Sequence, residues 1–139
     1  MKDRVEKAVE LFKSGYNCSQ SVVAAFADMY GFTQEQALRM SASFGGGIGR
    51  MRQTCGAACG MFLLAGLEKG AVDGKDREGK AANYALVQQL AEEFRKRNGS
   101  MICAELLGLK KPEGSSTPEA RTEQYYACLL YTSPSPRDY

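Results

Sequence analysis

Five cysteines and no histidine define the chemistry open to this chain: Cys18, Cys55, Cys59, Cys103 and Cys128. Without imidazole there is no Ser–His or Cys–His pair and no histidine metal ligand, which excludes triad hydrolases and zincins. Thiol chemistry is what is left. A single cysteine has a bland explanation, because free cysteine packs as a small buried hydrophobe. Three of these five, however, stand where helices are expected to begin. Cys18 follows Gly15-Tyr16-Asn17, Cys55 opens Cys55-Gly56-Ala57-Ala58-Cys59-Gly60 after a glycine-rich break, and Cys103 comes three residues after Ser100. A helix N-terminus favours the thiolate, the form that attacks disulfides and binds metals. Arg50 and Arg52 lie near Cys55 in sequence, so Cys55 is expected to attack, with Cys18 or Cys103 resolving the intermediate. Cys55 and Cys59 share one helix face but form neither Cys-x-x-Cys nor a ferredoxin pattern. Cys59 is therefore read as filling an alanine-sized slot.

The elements that must position these thiols read as helices. Val5, Ala8, Val9 and Phe12 recur at helical spacing up to Gly15. Asn17 caps a second helix with one apolar stripe, Val22, Ala25, Phe26 and Met29, stopped at Gly31. Thr33 and Gln36 form a capping box for a third helix through Phe44. Regular structure must then break at Gly45-Gly46-Gly47-Ile48-Gly49-Arg50. That loop reads either as a weak anion-binding nest with Arg50 or as a permissive segment that sets Cys55 at a helix start. A fourth helix is expected from near Thr54 to Glu68, where Gly56, Ala57, Ala58 and Gly60 leave room for a second backbone. A fifth carries Ala81, Tyr84, Ala85, Val87, Leu90, Ala91 and Phe94 and ends at Asn98-Gly99. Ser100 is expected to cap a short helix with Cys103, Leu106 and Leu107, and Pro118-Glu119 starts another. No alternating strands are found. The expected fold class is all-α, a compact bundle of five to six helices with the glycine-rich loop before the Cys-Gly-Ala-x-x-Gly helix.

With 139 residues, 44% hydrophobic and 24% charged, the chain is expected to be one globular domain. The longest apolar run, Met61 to Leu67, is too short to span a bilayer, and no signal-peptide pattern opens the chain. The expectation is a cytoplasmic protein with no membrane partner, and a net charge of +2 points to no nucleic acid. Arg95-Lys96-Arg97 and Lys110-Lys111 read as solvated surface, and Glu92, Glu93 and Glu105 receive no acid–base role. The tail breaks the pattern. Cys128 to Asp138 resembles an in-frame translation of a transposon-end sequencing adapter, so residues 1–127 are read as the domain and 128–139 as an unstructured tail. On that reading Cys128 is not native to the protein.

Gly15-Tyr16-Asn17-Cys18-Ser19-Gln20-Ser21-Val22, Phe44 to Met51, Thr54 to Gly60 and Cys103 to Gly108 together resemble the C-GCAxxG-C-C family of small redox-active proteins. The resemblance runs from the first helix to about residue 108. It implies functional cysteines at Cys18, Cys55 and Cys103, with Gly56, Ala57 and Gly60 completing the motif. Cys59 occupies a variable position, and a fourth family cysteine is expected in the next helix, about where Cys128 stands. Gly45, Gly46, Gly47 and Arg50 are the supporting loop residues.

Three functional readings follow. In the first, Cys18, Cys55 and Cys103 converge for thiol–disulfide or electron-transfer chemistry with another redox protein and need no cofactor. In the second, the same three thiolates bind a soft metal or an iron–sulfur cluster. In the third, a helical interaction protein carries inert core cysteines.

Overall fold

The computed structural model describes residues 2–108. Among them the regular structure is α1 (Lys2–Lys13), α2 (Cys18–Phe26), α3 (Gln34–Ser41), α4 (Gly56–Lys69), α5 (Arg77–Asn98) and α6 (Cys103–Leu106), with 3-10 turns at Ala27–Tyr30 and Ala42–Phe44. The all-α expectation holds; the β structure among the described residues is one isolated antiparallel bridge, Thr54 to Ile102. No helix among them is long and apolar enough to cross a membrane. The helix expected at Pro118-Glu119, the tail from residue 128, and Cys128 itself lie outside the described residues.

The helix boundaries follow local chemistry. Asn17 Oδ1 accepts from the Gln20 N–H at 2.9 Å while Gln20 Oε1 accepts from the Asn17 N–H at 3.1 Å. Thr33 and Gln36 close the same reciprocal box on α3. Gly99 ends α5 with φ of 87°, its N–H donating to Arg95 O at 2.7 Å. Ser100 departs from expectation. The residue before α6 is Ile102, and Ser100 Oγ instead accepts the Ile102 N–H at 3.0 Å and donates to Glu105.

Helix α2 is the centre of the packing, meeting α1, α3 and α4, while α5 lies against α4. Its Val22 joins Cys55, Ala57, Ala58, Phe94 and Leu106 in one core cluster. Its Val23, Ala24 and the following Ala27 join Ala37 in a second. The helix is thus buried nearly all round, not along the one stripe its apolar spacing indicates. Met29, placed on that stripe by sequence, falls in the 3-10 turn and is 53% exposed. The chain leaves α-helical geometry after Phe26, and the periodicity ends with it.

The α2–α4 contact depends on small residues. A Cβ at Gly56 would lie 2.8 Å from Phe44 O and 3.3 Å from the Ser19 N. One at Gly60 would lie 3.2 Å from both Ser19 O and Val22 Cβ. The obstacles at Gly56 are backbone atoms, which cannot rotate aside. Gly66, on the same helix, has nothing within 4 Å of such a Cβ. Gly56→Ala is therefore expected to destabilise the protein by about 1–3 kcal/mol through overpacking. Gly66→Ala should stabilise it by up to about 1 kcal/mol through helix propensity. Denaturant unfolding followed by circular dichroism checks both signs; equal effects at the two sites would contradict the packing account.

Candidate functional site

The α2–α4 approach sets two of the three motif cysteines side by side. Cys18 is the first residue of α2, and Cys55 directly precedes α4. Cys18 packs against the core cluster to which Cys55 belongs. The capping residue Asn17 also donates from Nδ2 to Ala42 O at 3.1 Å, which ties the start of α2 to the turn after α3. Gly45 lies directly against the Asn17 side chain, where any Cβ would collide with it.

Cys103 arrives from the other end of the chain. Around the Thr54–Ile102 bridge, the Cys55 N–H donates to Met101 O at 2.7 Å and the Cys103 N–H donates to Gln53 O at 2.6 Å. The Ala104 N–H reaches Arg52 O at 3.3 Å. The segments carrying Cys55 and Cys103 are thereby stitched together on both sides of the bridge.

The loop between α3 and α4 has an unusual backbone. Gly46, Gly47, Ile48, Gly49 and Arg50 take φ values of 67, 76, 64, 57 and 63°, and Arg52 follows at 61°. Glycine accepts this left-handed region freely, but for Ile48, Arg50 and Arg52 it costs on the order of 1–2 kcal/mol each. Contacts around the loop offset that cost. The N–H groups of Ile48, Gly49, Arg50, Met51, Arg52 and Gln53 all donate to backbone carbonyls between Ser43 and Ile48. The N–H groups from Ile48 to Gln53 therefore already have backbone acceptors and are not open to an anion. Gly47 fits because a Cβ there would come within 2.6 Å of the Cys103 Cβ and 2.7 Å of the Arg52 Cα. At Gly47 the loop passes tightly over Cys103.

Electrostatics alter the roles expected from sequence. Cys55 is 3% exposed, and burial pushes its thiol far above the ordinary range, with the neighbouring Cys18 adding to the rise. The Ala57 and Ala58 N–H groups at the start of α4 pull the other way, and Cys103 adds a smaller upward effect. Desolvation wins over the helix N-terminus. Cys55 therefore rests as a thiol and not as the expected thiolate nucleophile. Nor does Arg52 serve Cys55, its close sequence neighbour. Its guanidinium Nη1 lies 3.6 Å from Cys103 Sγ, and the residue is 4% exposed. Cys103 opens α6, a helix of a single turn.

The four described cysteines form no disulfide with one another, and Cys18, Cys59 and Cys103 are half-buried. Cys59 Sγ donates to Thr54 O at 3.8 Å, and burial raises its thiol as well. Among the described residues no three Cys, Asp or Glu side chains are arranged to hold a metal ion. Cys18, Cys55 and Cys103 are accordingly not arranged as a three-thiolate site among the described residues.

The family model described as "Putative redox-active protein (C_GCAxxG_C_C)" matches residues 16–134. The match includes Cys18, Cys55 and Cys103, and it runs through Cys128 into the segment read from sequence as a tail. No curated protein and no solved structure matches the chain.

The buried Cys55 thiol couples ionisation to stability. Unfolded chains lose this proton near pH 8.5, whereas the folded protein retains it. The folded state therefore binds more protons above that pH, and stability present below it falls as pH rises. Denaturant midpoints measured from pH 7 to 10 should decline less steeply in Cys55→Ala than in the parent chain. Identical slopes would contradict a buried, protonated Cys55.

Proposed function

The chain belongs to the C_GCAxxG_C_C family, and we propose on that premise that it carries out thiol–disulfide exchange through Cys18, Cys55 and Cys103. The observation that carries this reading is the convergence of three separate segments on Cys55, whose ionisation responds to both other thiols. Cys18 and Cys103, half-buried, are the thiols that an incoming disulfide meets first; Cys55 is the internal one. A thiolate of the outer pair attacks one sulfur of the incoming disulfide, forming a mixed disulfide and expelling the first thiolate. Cys55, on losing its proton, attacks the protein sulfur of that bond and releases the second thiolate. The protein is left with one new S–S bond, the substrate with two thiols, and two electrons have passed to the substrate. The reverse sequence restores the thiols.

Another redox protein suits this chemistry better than a metabolite. A depression runs along Phe62, Val87, Ala91 and Met101, and none of the three motif cysteines lines it. A reducing cytoplasm is the compartment in which such a bond would be transient.

Site-resolved thiol trapping with mass spectrometry tests the proposal on the full chain carrying Cys128→Ser, prepared anaerobically. Mild oxidation should link Cys55 to Cys18 or Cys103, and re-reduction should restore free thiols. Cys55→Ser should abolish that link. Thiols that stay free throughout would overturn exchange chemistry at this site.

A further inference from the structure

Arg52 is buried, lies in the left-handed region, and meets a sulfur 51 positions away in sequence. Buried arginine is uncommon, because removing a guanidinium from water costs more than packing returns unless a partner charge or acceptor meets it. We infer that Arg52 is the positioning residue for Cys103, and that it makes Cys103 the entry thiol of the site. The assignment deepens the exchange reading and rests on it for its consequence.

The backbone holds the two residues in fixed relation. The Arg52 N–H donates to Gly46 O at 3.2 Å, and its carbonyl accepts from the Ala104 N–H at 3.3 Å. The next residue along, Gln53, donates to Gly47 O at 2.9 Å and accepts from the Cys103 N–H at 2.6 Å. Arg52 and Cys103 therefore move as one unit. Gly47 closes the other side, since a side chain there would displace both residues. The side chain then places Nη1 3.6 Å from Sγ, a donor and a positive charge at the sulfur where negative charge collects during exchange. Cys18, the other half-buried motif thiol, stands at the start of α2, and Cys55 is shielded. In the step served, the Cys103 thiolate forms the new S–S bond, and the expelled substrate thiolate leaves with the electron pair of the broken one. A cation beside the attacking sulfur also lowers the repulsion between that thiolate and a disulfide bearing negative charge. Acidic disulfides are thus the favoured substrate class.

Charge-selective alkylation reads this directly. The probes are iodoacetate, an anion, and iodoacetamide, its neutral counterpart, with Cys103 adducts quantified by mass spectrometry. The ratio of the two rates cancels changes in accessibility that a merely structural residue would cause. In the folded parent chain the iodoacetate-to-iodoacetamide ratio at Cys103 should exceed its value in urea about fivefold. Arg52→Met should return the folded ratio to the urea value, and Arg52→Lys should keep it within about twofold of the parent. Equal ratios in folded and unfolded parent protein would overturn the inference, even if Arg52→Met fails to fold. A parent-like ratio in folded Arg52→Met would overturn it as well. Loss of the exchange reading looks different: the charge ratio persists while no disulfide to Cys55 forms.

Discussion

The backbone of α2 meets the backbone at the head of α4 with no side chain between them, and the site depends on that approach. At Gly56 the gap accommodates a hydrogen atom but not a methyl group, whose carbon would lie 2.8 Å from Phe44 O in the turn after α3 and press on the Ser19 N of α2 at 3.3 Å. Cys18 and Cys55 are the residues immediately before Ser19 and Gly56. Closing the helices at the second pair therefore brings the first pair together. The glycine and alanine surface that looks featureless in composition is what makes two thiols neighbours.

A second constraint comes from the loop ahead of α4. Its run of left-handed residues is costly for Ile48, Arg50 and Arg52, yet it lets the chain turn within a few residues and pair with residues 101–104. Strain persists where surrounding contacts over-determine the backbone, and here the contacts are the internal N–H donors and the Thr54–Ile102 bridge. The result is a difference in environment among chemically identical groups. Cys55 is desolvated and holds its proton, while Cys103 has an arginine at its sulfur. Environment thus distinguishes thiols that composition alone treats alike.

Much of the fold was legible in the sequence. Asn17 with Gln20 and Thr33 with Gln36 close their capping boxes as their types and spacing indicate, and Gly99 ends α5. Local signals work there because a cap satisfies backbone donors within one turn. What could not be read were the effects that depend on distant segments. Helix dipole and nearby arginines pointed to a Cys55 thiolate, but burial by α2 and Phe94, invisible in a local window, reverses that sign. Arg52 is three positions from Cys55 and yet contacts Cys103, because the bridge and the left-handed loop redirect its side chain. A sequence signal for this existed in part: Gly46 and Gly47 directly before Ile48 mark where the chain enters left-handed backbone with least strain. The single-stripe reading of α2 failed for a related reason, as a short helix contacted from three sides has no solvent face to show.

The proposed exchange requires Cys55 to be the internal thiol that pairs with Cys18 or Cys103. An equilibrium redox titration of the full chain, quenched and labelled in denaturant, tests it most directly. The Cys55 label and the label of one outer cysteine should be lost together, in a single two-electron transition of about 30 mV per tenfold change in ratio. A Cys55 that stays fully labelled while the outer cysteines oxidise would contradict it.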